Sequence, residues 1–489
     1  MRLRLTDMHA RSLAGLGLFL LVFGVAVDGQ SHKLGPVSLD TVIVLVPLAI
    51  LMCLPYVRRK GVSTLPPYLL GPAALVFLAC ALISVVANGS HFSSLLTVVR
   101  YAAYFILSME IAVVTQDAAV RRLVLWAIGA AGGLTAILAL SQYAVPSLTP
   151  GMHGIGKGIT TRVVGTFYNS NFYAEFLILV VGVLIALAFT EGRFGRITAI
   201  VTGLSVGLVL LLTYTRGSWI GLAVGLAVVA MVLDPRYLAL IVSLAVASAF
   251  LVPGVLLRVS AAADNGGSTA FRFGLWQVAG EAMRRRPLFG VGAGDFLGAY
   301  RGVVMTRPDL YSGYLGFGAH NSYFELGAEI GVLGALAFLV VTFVYATRGL
   351  YVATREGVDT YTKYVSLGLS VGLVGFVVNT FASNTFQHPQ SGLFFWILSG
   401  VVAGLGTGLW QKEPRPQVAW ATSGAGLAGG SAAVGWALRV RGWIASSWRS
   451  SWTFAQTAEP RPARDGWFDS SLAMRLLFGR GADKTSGSS

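Results

Sequence analysis

Apolar runs of about 20 residues recur along most of this chain, and no other feature restricts its fold as strongly. Hydrocarbon offers no partner to a backbone N–H or C=O, so a run of that length must close its own hydrogen bonds as a helix. Composition agrees. Of 489 residues, 55% are hydrophobic and 12% charged, with a mean hydropathy of +0.70; a soluble chain carries about 25% charged residues. The sequence is read as an all-α polytopic membrane protein of about twelve spans. They fall at roughly 12–28, 38–57, 68–87, 93–114, 122–143, 172–190, 196–213, 217–233, 237–256, 321–347, 361–381 and 390–410.

The net charge of +15 raises the question of a nucleic-acid partner, but the basic residues do not cluster on a soluble domain. They lie in the connections and in the tail, where they suit an anionic inner leaflet and membrane lipids. The N-terminal segment and the even connections carry Arg2, Arg4, Arg11, Arg58, Arg59, Lys60, Arg121, Arg122, Arg193, Arg196, Arg236, Arg348, Arg355 and Lys363. The short connections opposite carry only Lys33, Lys157, Arg162 and Arg216. The positive-inside rule then places both termini in the cytoplasm and the long 257–320 segment outside. Residues 1–410 form the transmembrane unit. Residues 411–489 form a basic, Pro/Gly/Ser-rich tail, either disordered or lying on the inner leaflet around Val434–Trp452. Cys53 and Cys80 both fall in apolar runs and offer neither a disulfide framework nor zinc spacing. Met1–Arg4 resembles the start of a signal peptide, but no cleavage site follows Val27–Gln30, so the first span is read as uncleaved.

The outer segments carry the unusual chemistry. One, 144–171, is glycine-rich around His153 and Lys157 and ends Gly165-Thr-Phe-Tyr-Asn169-Ser-Asn171. The long one holds a helical pattern from Phe271 to Met283, stopped by Arg284-Arg-Arg286-Pro287 at the negative helix end. Gly290-Val-Gly-Ala-Gly294 follows. It superficially matches a dinucleotide fingerprint, but no βαβ unit surrounds it; a tight turn that lets the backbone approach a neighbour fits better.

His320 stands where the tenth span begins. A helix start disfavours imidazolium, so His320 is either a neutral general base at the membrane edge or a simple helix cap. Arg216, in the short turn Thr213–Trp219, is a cation held near hydrocarbon; it either snorkels to lipid phosphate or meets an anion. Arg272 on the outer helix poses the same question. Arg100 lies roughly 12 Å deep in the fourth span, with Glu110 or Glu175 as the partner on offer. The aspartates Asp264, Asp295 and Asp309 are scattered, so neither a metal nor another cofactor is expected. Outer arginines and one neutral histidine permit transfer from a polyprenyl-diphosphate donor: guanidinium forks match phosphate oxygens while the imidazole deprotonates an attacking hydroxyl.

These elements together resemble the O-antigen ligase and polymerase superfamily. The resemblance rests on His320-Asn-Ser-Tyr-Phe-Glu325 with Gly331 and Gly334 beyond, on Arg216 in its short turn, and on Arg272 followed by Leu275 and Trp276. The run Pro287–Phe296, the segment Gly165–Asn171 and the order of spans belong to it as well. It covers about residues 10–410. Ile220 stands where the ligases typically carry Leu, and the tail is longer than the family's. The resemblance implies an inverting, metal-independent glycosyltransferase at the periplasmic face of a bacterial inner membrane, with undecaprenyl-diphosphate-linked glycan as donor. Ligases pass that glycan to lipid A-core; polymerases pass it to another lipid-linked glycan. It implies His320 as base and Arg216 and Arg272 as diphosphate ligands, with weaker roles for Arg100, Asn171 and Glu325. A transporter or flippase is the rival reading, but no internal repeat appears and the polar residues gather outside rather than at mid-membrane.

Overall fold

The computed structural model describes residues 2–27, 31–34, 37–61, 65–89, 92–148, 162–167, 169–252, 254–256, 268–311 and 318–412. The loop around His153 and Lys157, Tyr168, Asp264 and the tail from residue 413 lie outside them. The helices are α1 (Arg2–Val27), α2 (Thr41–Lys60), α3 (Pro72–Ala87), α4 (Phe92–Val114), α5 (Ala118–Ala144), α6 (Ser170–Thr190), α7 (Arg193–Leu212), α8 (Arg216–Leu233), α9 (Tyr237–Leu251), α10 (Ser268–Arg285), α11 (Phe296–Val304), α12 (Ser322–Ile330), α13 (Val332–Thr354), α14 (Thr360–Asn379) and α15 (Pro389–Lys412). A short antiparallel hairpin, Ser31–Leu34 with Val37–Asp40, joins α1 to α2 within this all-α fold.

Five helix starts follow capping chemistry, an Asn or Asp side chain accepting the orphan N–H groups of a first turn. Asp117 caps α5, Asn169 caps α6, Asp295 caps α11, Asn321 caps α12 and Asp359 caps α14.

Among the described residues, eleven helices are long and apolar enough to cross a bilayer. The ninth expected span is shorter than predicted: α9 has 15 residues, none of them buried. The chain still returns between α8 and α10, because Arg216 at the start of α8 and Arg272 in α10 line the same cleft.

The tenth expected span also differs, being broken at Gly331 (φ 86°) into α12 and α13. A neighbouring strand of chain takes the hydrogen bonds that a continuous helix would use. Val332 N donates to Pro287 O, Val291 N to Ala328 O and Gly292 N to Glu329 O, at 2.9–3.0 Å. A Cβ on Gly331 would sit 2.2 Å from Leu288 O, so only glycine admits this crossing. The Gly290–Gly294 run is the other half of the same approach.

Helix α14 runs through the middle of the bundle against α6, α8 and α13. Its seams with α6 and α8 are built from glycines. A Cβ on Gly182 would lie 2.7 Å from Gly368 O, one on Gly221 2.4 Å from Gly375 O, and one on Gly225 2.2 Å from Val371 O. Such backbone approach is how membrane helices gain packing where lipid supplies no hydrophobic drive.

Candidate functional site

Three helix ends meet at one face of the bundle: the starts of α6 and α8 and the end of α14. They enclose a cleft lined by Asn171, Thr215, Arg216, Gly217, Arg272, Asn379, Ala382 and Ser383. Arg216 reaches Thr269 Oγ1 of α10 through Nη2 at 3.3 Å, while its Nη1 is buried with no partner among the described residues. Asn171 Oδ1 accepts from Arg162 Nη2 at 3.0 Å, and Arg162 Nε donates to Thr213 O at 2.8 Å. Arg162 thus braces the turn that delivers Arg216. Beneath the cleft, fully buried Glu175 accepts from Ser383 and Ser391 hydroxyls.

His320 does not line the cleft but lies beside it. Its ring centroid is 6.1 Å from that of Phe271, the neighbour of Arg272 on α10. Burial, and then the charge of Arg272, push its pKa down to about 4. His320 is not the cap: Asn321 accepts from Tyr323 N and Phe324 N at 3.0 and 3.1 Å. His320 instead adopts a left-handed backbone, φ 51°.

The connection between α14 and α15 fixes this turn in place. Ser322 N points to Thr380 O and Ser383 O, Asn321 Nδ2 donates to Phe381 O, and Gln387 Nε2 donates to Ser322 O. Phe386 anchors the connection by packing on Phe338, Phe376 and Phe395 at 4.9–5.3 Å. Residues 380–387 therefore couple the arginine cleft to the histidine turn.

Of the residues singled out from sequence, Arg216, Arg272 and Asn171 share the cleft, and His320 adjoins it. Glu325 stands apart, below the turn: it is buried, and its Oε2 accepts Ala319 N at 2.6 Å. Arg100 also lies outside the cleft lining. No bond joins it to Glu110 or Glu175 among the described residues. Glu175 is taken by the serines, and Glu110 Oε2 is buried with no partner among the described residues. The charge of Arg100 acts on Glu329 and His388 instead. Asp295 is spent as a cap and Asp309 pairs with Arg307 at 2.7 Å. No group of His, Cys, Asp or Glu with metal-holding geometry occurs among the described residues.

Sequence reasoning passed over Arg162, Asn379, Ser383 and His388. A signal existed: Asn379-Thr-Phe-Ala-Ser-Asn-Thr385 is a polar run between two apolar spans. His388 is packed against Phe172, and burial, His320 and Arg100 lower its pKa to about 3.

A family model described as O-antigen ligase matches residues 198–339, the segment that runs from α7 to the first turns of α13 and contains Arg216, Arg272 and His320. No curated protein matches the chain.

Proposed function

We propose, from the premise that this chain belongs to the O-antigen ligase and polymerase superfamily, that it transfers a glycan from undecaprenyl diphosphate to an acceptor hydroxyl at the periplasmic face of the inner membrane. The observation that carries the proposal is the convergence of Arg216 and Arg272 on one cleft with the neutral His320 beside it.

His320 accepts the acceptor's hydroxyl proton as the new C1–O bond forms. The bond from C1 to the diphosphate oxygen breaks on the opposite side, which inverts the anomeric centre. Arg216 and Arg272 stabilise the departing diphosphate by charge-assisted hydrogen bonds. Arg216 Nη1, buried and without a partner among the described residues, supports this role, since a buried donor without an acceptor is costly unless a ligand supplies one. At neutral pH an imidazole with a pKa near 4 is unprotonated and available as a base. The acceptor of the ligase reading is lipid A-core; the polymerase reading differs only in taking a second lipid-linked glycan.

The test is release of undecaprenyl diphosphate by the purified chain, given lipid-linked glycan and lipid A-core. Glycan joined to lipid A-core supports the ligase; longer lipid-linked glycans would make it a polymerase; no release at all would return the chain to the transporters. His320→Asn tests the base directly. Asn tolerates the left-handed backbone but lacks a basic nitrogen, so transfer is expected to fall about 10²–10⁴-fold with normal expression. Full activity in that variant would remove His320 from the mechanism.

A further inference from the structure

Helix α8 opens onto the cleft without a side chain closing it. Its N-cap residue, Thr215, makes no capping bond. The Thr215 hydroxyl lies instead 3.3 Å from Asn171 Oδ1 and 3.0 Å from the donating Arg162 Nη2. The positive end of an 18-residue helix therefore faces the cleft at Thr215, Arg216 and Gly217. At Gly217 the backbone is bare, because a Cβ there would come within 2.7 Å of Asn379 Oδ1.

Opposite stands Asn379, the last residue of α14, only 1% exposed. Ser218 Oγ donates to its Oδ1 at 3.4 Å, which turns the amide. Its Nδ2 has no acceptor among the described residues, like Arg216 Nη1 on the same cleft. Among the described residues, no carboxylate lines this cleft. A buried amide donor, a buried guanidinium donor and an open helix start call for a ligand with several anionic oxygens.

We infer that Asn379 is a further phosphate ligand: its Nδ2 and the open first turn of α8 grip a phosphate of the donor beside Arg216. The inference rests on reading the cleft as the diphosphate site. It assigns to α14 a direct part in donor recognition, so that the glycine seam between α8 and α14 sets the width of the phosphate cradle.

Binding of farnesyl diphosphate to the full chain in detergent, measured by calorimetry, tests this. Removing a hydrogen bond to a charged group lowers affinity about 10- to 100-fold, which is the loss expected for Asn379→Ala. Asn379→Asp keeps the shape but turns an anion toward the phosphate, and is expected to lose more. Both variants are expected to melt within a few degrees of the parent, because Nδ2 has no acceptor among the described residues and Oδ1 takes a long, 3.4 Å bond from Ser218 Oγ. Should Asn379→Ala fail to accumulate, Asn379→Asp carries the test alone. Undiminished binding by Asn379→Asp, with loss in Arg216→Ala, would overturn the role of Asn379 and leave the cleft's reading intact. Undiminished binding by Arg216→Ala as well would overturn the diphosphate reading itself.

Discussion

Among the described residues, Tyr214 and His320 are the non-glycine residues with a left-handed backbone, both at φ 51°. Such a conformation costs on the order of 1–3 kcal/mol and persists only where its surroundings hold it. Tyr214 precedes Thr215 and Arg216; His320 precedes the cap Asn321. The two strained turns therefore deliver the proposed diphosphate ligand and the proposed base. His320 is also tied electrically to the cleft, since Arg272 helps hold its pKa near 4. In the proposed mechanism neutral imidazole is the active form, so transfer is expected to be flat above pH 6 and to fall as pH drops through the folded-state value. Replacing Arg272 with Gln removes a cation and raises that pKa, though burial, the larger cause, keeps it below the ordinary 6.5. The acid limb of the pH–rate profile is expected to move to higher pH in Arg272→Gln, measured at saturating donor. An unmoved limb would separate Arg272 from His320. The same depression has a stability consequence: the contribution of neutral His320 is complete above pH 6.5 and fades as pH falls toward 4.

At the scale of elements, the site depends on how closely α8 lies against α14. Gly221 and Gly225 have backbone carbonyls of α14 where a Cβ would go. Backbone cannot step aside as a flexible side chain does. Gly221→Ala is therefore expected to destabilise the chain by about 1–3 kcal/mol and to move Arg216 away from Asn379, lowering both the melting temperature in detergent and diphosphate affinity. Gly207→Ala on α7 is the control. A Cβ at Gly207 meets nothing within 4 Å, and a helical Gly→Ala change in open space is neutral or favourable. Equal melting of the two variants would mean that the seam is looser than its geometry. The break at Gly331 serves a different end: it frees α12 to turn His320 toward α10 while α13 holds its course through the bundle.

For the whole molecule, the ends of the helices far from the cleft are pinned by charge. Arg122 pairs with Glu191 at 2.6 Å, Arg11 with Asp117 at 3.2 Å and Arg59 with Asp7 at 3.2 Å. These are also connections dense in arginine, which by the positive-inside rule supports the proposal that this end faces the cytoplasm and the cleft the outside. A reporter enzyme fused after Tyr311 is expected to be active outside the cytoplasm, and one fused after Glu356 inside it. Swapped activities would invert the molecule and separate the cleft from a periplasmic acceptor.

The spans were legible because hydrocarbon makes a demand of every residue in a run, and that demand is written in composition. Asn321, Asn169 and Asp117 cap their helices through their own neighbours in sequence, a local signal that the reading of His320 as the cap passed over. Arg216, Arg272 and His320 were visible as cations and an imidazole at span edges. What tertiary structure alone decided was their company. Nothing near Gly331 in the chain says that Pro287–Gly292 will take its helix's hydrogen bonds and split the span. Glu175 is bound to Ser383 and Ser391, more than 200 positions away, rather than to Arg100. Asn379 is an unremarkable amide in sequence; it becomes a buried donor on a cationic cleft because glycines let α8 and α14 touch backbone to backbone. Local patterns record what each residue asks of its solvent, whereas partnership across the bundle depends on helix packing, which no short stretch of sequence contains.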